Sequence, residues 1–438
     1  MKISSNRATA KILAALAFSG SVLMASTPAP ARDGPEPIFE KPAPITMTEL
    51  SQQQIKGVSA IEVNDYSPCG YEGELKPSPP HADLNPKKAV IIAWENSKAR
   101  FVFSHEASYC PWLELPNKVG MCNQFFEGNL GWAELMNSMG RKEKNSFVDI
   151  IQSGPDLAWV RWTYFCVNKN DDSKPALRGT EDYVAYPNGL VWRRMTYQSM
   201  LPDKVEGYAF DPIDFFAIIP PGVPWQTLIA RDPEHGDYCV ASVLDAYSDK
   251  QYDVYWADPG PGTHGFGCGK ARRTGDAALL KQISQSKGLA MVIPFKDGYL
   301  FSIVGDAGGI PREMSEVSDN SFLDTGGYGW ISWELDHWPV GWTNSQSVTR
   351  QWDSPYPYCI CQLSHYITAK WLDRYKPDYT NMTRNMQHNK WCEQHVFYQV
   401  IGVGKDYESI RRLARQWLDK GEECATAQSI ADLRVIDR

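Results

Sequence analysis

The sequence predicts an all-β protein, a large antiparallel β-sandwich with one C-terminal amphipathic helix. Three observations predict it. Short runs rich in Val, Ile, Phe, Trp and Tyr follow one another along most of the chain, bounded by turn sequences. Two of those turns, Pro187-Asn188-Gly189 and Lys296-Asp297-Gly298, are of hairpin type. Helical periodicity is strong only near the C-terminus.

The 438 residues allow one large domain or two ordinary ones, and the expected division is as follows. Residues 1–31 read as a secretory signal: Lys2, Arg7 and Lys11 make a basic start, 12–25 is an apolar core, and Ala29-Pro30-Ala31 is a cleavage site. Residues 32–56 are Pro-rich and polar, a linker or surface arm. Residues 57–438 form a single β-sandwich domain. The first strands are expected at 58–64, 89–94 and 100–105. In 157–167, Val160, Trp162, Tyr164 and Cys166 share one face and Trp159, Arg161, Thr163 and Phe165 the other. Both sets are bulky, which puts this strand inside a two-layer stack. Residues 181–198 read as a hairpin, with Val191, Arg193, Met195 and Tyr197 on one face and Trp192 and Arg194 on the other. Further strands are expected at 214–220, 238–244, 289–294 and 299–304. Residues 276–286 and, more weakly, 361–375 are helix candidates. In 407–420, Ile410, Leu413, Ala414, Trp417 and Leu418 make one apolar stripe, the signature of a helix that packs on the domain by that face.

Charge narrows the partners. Removal of the signal leaves 41 basic against 52 acidic side chains, a balance of −11. That surface disfavours nucleic acid and anionic membranes. No stretch is long and apolar enough to span a bilayer, so a periplasmic or secreted protein is expected. Ten cysteines, all beyond residue 31, favour disulfides in an exported chain. Cys110 with Cys122 and Cys239 with Cys268 are candidate pairs, and Cys359 and Cys361 would reach Cys392 and Cys424. No cysteine or histidine cluster has zinc spacing. The acidic loop 168–172 suits calcium by composition but not by spacing, and no cofactor is expected.

Residues 101–132 carry the densest chemistry. His105, Glu106, Tyr109, Trp112, Glu114, Asn123, Gln124, Glu127 and Trp132 are interleaved there, as a sugar-binding cleft requires. Three motifs occur in order: SHEASYCPWLELPNKVGMCNQFFEG, EDYVAYPNGLVWRR and WELDHWPVG, followed by the helical RRLARQWL. Together they resemble exported bacterial β-sandwich proteins of polysaccharide breakdown, the galactose-mutarotase-like sandwich used by several polysaccharide lyase families. The resemblance implies a polysaccharide lyase that cleaves an acidic, uronic-acid-containing polymer by β-elimination. The alternatives are a glycoside hydrolase and a non-catalytic carbohydrate-binding protein of the cell envelope.

Elimination needs a base for the proton beside the carboxylate, groups that neutralise that carboxylate, and an acid for the leaving oxygen. His337, among Trp333, Trp338 and Trp342, is the first-choice base. Tyr109 is the expected acid and His105 a second base. Arg193 and Asn123 would bind the carboxylate, Gln124 and Glu127 sugar hydroxyls, and Trp112, Trp132 and Trp338 sugar rings. A glycosidase would instead pair Glu106 or Glu127 with Glu334 or Asp336. Each of these residues also has a structural alternative: histidine or tryptophan in an aromatic core, arginine in an ion pair, tyrosine bonded to backbone.

Overall fold

The computed structural model describes residues 42–67, 87–123, 127–128, 133–134, 146–168, 175–199, 210–234, 236–256, 272–273, 279, 282–283, 286–305, 322–324, 358–367 and 396–420. Those from Ala43 onward belong to one unit.

Within the stretch read as a linker, α1 (Met47–Gln52) forms because Thr46 and Glu49 make a capping box. Thr46 N donates to Glu49 Oε2 at 2.6 Å and Glu49 N to Thr46 Oγ1 at 3.1 Å. Leu50 is the buried residue of this helix. The chain is therefore structured well before residue 57.

The first strands are β1 (Val58–Val63), β2 (Ala89–Trp94), β3 (Ser97–Ser104), β4 (Pro111–Glu114) and β5 (Gly120–Asn123). Short β6 (Glu127–Gly128) and β7 (Ala133–Glu134) precede β8 (Ser146–Gly154), β9 (Leu157–Asn168), β10 (Pro175–Ala185) and β11 (Val191–Ser199). Then come β12 (Phe210–Ile219), β13 (Tyr238–Asp245), β14 (Gln251–Trp256), β15 (Arg272–Arg273), β16 (Gly288–Phe295) and β17 (Gly298–Gly305). The last are β18 (Phe322–Asp324), β19 (Tyr358–Ile367) and β20 (Val396–Gly404), before α2 (Tyr407–Lys420).

All ladders between these strands are antiparallel, and they resolve into two layers. One runs β1-β2-β3-β4-β5-β12-β19-β18. The other runs β8-β9-β10-β11-β20-β17-β16-β13-β14-β15. Hydrogen bonding continues from one layer to the other through β6 and β7. This is the expected all-β sandwich with a C-terminal helix.

The alternation read from β9 decides which face is inside. Val160, Trp162, Tyr164 and Cys166 are fully buried, whereas Trp159, Arg161 and Thr163 are half-buried on the outer side. The layers meet through large rings. Phe101 and Phe103 of β3 lie 5.2 and 5.1 Å from the Tyr183 ring of β10, centroid to centroid. Such tilted and edge-on pairs each add about 0.5–1.5 kcal/mol beyond the area they bury.

The outer face of the second layer is covered by α2. Ile410, Leu413, Ala414, Trp417 and Leu418, the expected stripe, are buried against Val184, Leu244, Ala290, Val292, Phe301 and Val400. The helix lies close because two strand residues facing it lack side chains. A Cβ on Gly288 would sit 2.0 Å from Leu418 Cδ1, and one on Gly404 2.4 Å from Ile410 Cγ1. The first turn is fixed by Asp406, whose carboxylate accepts from Ser409 N at 2.7 Å.

One expectation is overturned. A helix is expected over 361–375, but 361–367 belong to β19, paired with β12 from Phe210↔Ile367 to Ile219↔Tyr358, and 368–375 lie outside the described residues. A free edge of β12 offers this segment a ladder, and its Tyr, Ile and Cys content suits a strand better than a helix.

Candidate functional site

The chain leaves β3 at Ser104 and turns through a short 3-10 segment, His105–Ala107, before β4 begins at Pro111. The turn is strained. Ser108 takes φ 45° and ψ 35°, and Tyr109 takes φ 62°. Two successive residues other than glycine in the left-handed region are costly, roughly 1–2 kcal/mol each. The surroundings over-determine the conformation. Backbone N–H groups of Ser108, Tyr109 and Cys110 donate to carbonyls of His105, Ser104 and Ala107 at 2.9, 2.7 and 2.8 Å. The Ser108 carbonyl accepts from Ser146 Oγ and from Trp162 Nε1, the latter at 3.2 Å, so β8 and β9 hold the turn from the facing layer.

This geometry sets the Tyr109 ring edge-on to the His105 imidazole, 5.3 Å between centroids at 81°. Both residues are half-buried. Burial, and then the nearby Glu62 carboxylate, push the Tyr109 phenol up to about 12. The hydroxyl therefore keeps its proton at any physiological pH and is suited to give one up only to a strong base such as a departing alkoxide.

Asn123 ends β5. The β4–β5 register pairs Trp112 with Cys122, which brings Asn123 to the start of β4, close in the fold to the turn. Its side chain is 3% exposed, and neither amide atom has a hydrogen-bond partner among the described residues. An unsatisfied buried amide is rare and calls for a water or a ligand.

A second polar cluster lies deeper. Glu181 on β10 and Arg193 on β11 are both fully buried, with Nε donating to Oε2 at 2.7 Å. Glu181 also accepts from Tyr164 at 2.7 Å and Tyr183 at 2.5 Å, and Arg193 Nη1 donates to Gln399 Oε1 at 2.7 Å. The guanidinium stands over the Tyr183 ring at 5.7 Å. Each charge is met by partners, while Gln399 Nε2 is buried with none among the described residues. The Glu181 carboxylate and the neighbouring phenols hold the Arg193 cation firmly protonated against the cost of burial.

The structure thus separates residues that the sequence analysis grouped. Tyr109, His105 and Asn123 come together at one end of β3–β5. Arg193 does not join them: it is inside the sandwich, committed to Glu181, and presents no donor to a substrate carboxylate. Trp112 is likewise a core residue, fully buried and 6.1 Å from the Tyr66 ring, so it offers no face for a sugar ring. The physical reason is the same for both: each sits on the inward phase of its strand's alternation. Glu127 is placed in β6. His337, Trp338, Gln124 and Trp132 lie outside the described residues, as do Glu334, Asp336 and the cysteines expected to pair with Cys239, Cys359 and Cys361.

Glu181, Glu62 and Ser146 were not singled out from the sequence, and Trp162 was read only as a strand residue. Glu181 had a readable signal. With the Pro187-Asn188-Gly189 turn fixed, the hairpin register pairs Tyr183 with Arg193 and Glu181 with Met195, so Arg193 and Glu181 are diagonal neighbours on one face.

No family model matches the chain, and no curated protein matches it. Among solved structures it is similar to galactose 1-epimerase from Lactobacillus acidophilus NCFM, at 9% identity and a TM-score of 0.29, over 79% of this chain and 98% of that one. A likeness that loose assigns no activity.

Proposed function

We propose that the protein is an exported carbohydrate-active enzyme, a polysaccharide lyase acting on an acidic, uronic-acid-containing polymer, with His105 and Tyr109 as its reacting pair. The observation that carries this is the edge-on contact of the two rings in a turn strained to hold it. His105 takes the proton beside the sugar carboxylate. The electron pair moves to form the ring double bond, the bond to the leaving oxygen breaks, and the Tyr109 hydroxyl protonates that oxygen. A phenol pushed up to about 12 fits the acid and not the base. Asn123 supplies a buried amide for the substrate carboxylate or a hydroxyl, in place of the arginine that the sequence suggested.

The test is the absorbance of unsaturated uronate product on a panel of acidic polysaccharides. Wild type is expected to give product with at least one polymer. Tyr109→Phe, which keeps the ring packing, is expected to lower kcat by roughly 10²–10⁴ with KM within a few-fold. Unchanged kcat in that variant would remove Tyr109 from the chemistry. Chain cleavage without unsaturated product would replace the lyase by a glycosidase, and binding without cleavage would replace it by a carbohydrate-binding protein.

A further inference from the structure

We propose that Cys110 and Cys122 form a disulfide in the mature protein, made while the chain folds and then sealed in the core. Their sulfurs stand 3.7 Å apart, a thiol contact, and both residues are fully buried. Both cysteines are thiols in this structure, and a disulfide needs the sulfurs at about 2.05 Å, so the bond requires the two side chains to move together. The sulfur contact, not the strand register alone, points to the link. Cys122 pairs with Trp112 across the β4–β5 ladder, and Cys110 stands two residues before Trp112, diagonal to Cys122. Both are on the same inward phase as Trp112, so they face one another inside the sandwich.

The position gives the bond a purpose independent of any reaction. Cys110 directly follows the two left-handed residues Ser108 and Tyr109, and Cys122 directly precedes Asn123. A covalent tie there fixes the far side of the turn to β5, where the turn is otherwise held by hydrogen bonds to β8 and β9. Cys239 makes a contrast. Its thiol is pushed up to about 12, chiefly by burial, and is engaged by Ser242 and Tyr407 at 3.5 and 3.6 Å.

The step balances with an exchanging disulfide as oxidant. One cysteine, as thiolate, attacks the oxidant's disulfide and displaces a thiol. The second attacks the mixed disulfide, the Cys110–Cys122 bond forms, and the second thiol leaves. Two protons and two electrons pass from the protein to the oxidant. Full burial closes this route in the folded protein, so the bond forms early and resists reductant until the chain is unfolded.

Lys118 lies between the two cysteines, so trypsin places them on separate peptides, 101–118 and 119–141. Full-length protein exported into an oxidising compartment is unfolded with alkylating agent present, digested and analysed by mass spectrometry. The expected result is one linked species, two hydrogens lighter than the two peptides together, that separates on reduction. In Cys110→Ala, Cys122 is expected to become alkylated without reduction. The native protein held in reductant is expected to keep the linked species. Both cysteines alkylated in the unreduced wild type, or Cys122 still protected in Cys110→Ala, would overturn the pairing. Loss of the link from the folded protein in reductant would overturn its sealing.

Discussion

The buried Arg193 cluster and the Tyr109 turn solve opposite problems. Around Arg193 every charge is answered: carboxylate, guanidinium, two phenols and a glutamine close on one another with no exposed member. Around Tyr109 the backbone is strained, both rings are half-open, and the Asn123 amide is left without a partner among the described residues. The first arrangement ties neighbouring strands β9, β10, β11 and β20 of one layer together, with its charges spent on one another. The second holds two half-buried rings in a strained turn. An arginine committed to a buried carboxylate therefore offers a substrate nothing, whatever motif it sits in.

Breaking the closed cluster should have the largest effect. Arg193→Ala leaves Glu181 as an uncompensated buried charge and is expected to cost about 3–5 kcal/mol in urea unfolding. Glu181→Gln with Arg193→Met keeps an acceptor for both tyrosines and removes both charges, and should recover more than half of that loss. A loss under about 1 kcal/mol for the single variant would show that the cluster is not a stability element.

Alkaline pH should separate the clusters by a smaller effect. The Tyr109 phenol has its ordinary value of 10.0 raised to about 12, so the folded state binds that proton more tightly than the unfolded chain. Its contribution is complete below pH 10 and is lost as pH rises through about 12. Tyr183, pushed well above 10.0 by burial inside the closed cluster, acts in the same direction. In Tyr109→Phe the fall of the urea midpoint with rising pH should be shallower than in wild type but still present. An identical slope would mean that Tyr109 titrates as an exposed phenol.

The smallest effect should come from relieving strain. Ser108→Gly removes the Cβ from a left-handed position and leaves the Ser108 carbonyl free to keep its bonds to Ser146 and Trp162. After the larger entropy of a glycine in the unfolded chain is offset, a gain of about 0.5 kcal/mol is expected. A loss above about 1 kcal/mol would show that the serine side chain, and not the backbone, holds the turn.

Much of the architecture was legible because period-2 and period-3.6 patterns are local. Alternation in Val160, Trp162 and Tyr164 and the stripe Ile410, Leu413, Trp417 predicted their elements within a residue or two, and the Pro187-Asn188-Gly189 turn placed the hairpin, whose first strand begins six residues before the expected 181. Alternation says which side chains share a face but not which face is interior when both are bulky. That is why Trp112 and Arg193 looked available for a ligand and are core. Tyr109 and His105 were legible as candidates, yet the strain at Ser108 was not, since nothing in Ala-Ser-Tyr-Cys announces a left-handed backbone. The strand at 358–367 was misread because its ladder partner, β12, is more than a hundred residues away in sequence.

The bare glycine floor under α2 has a consequence in time. The strands carrying Gly288 and Gly404 are synthesised before the helix whose Leu418 and Ile410 fill the space above them. Until residues 407–420 have left the ribosome, the second layer has an uncovered apolar trough. A chain halted in that interval exposes the apolar surface that Ile410, Leu413, Trp417 and Leu418 later cover, so closure of this layer waits for residues 407–420.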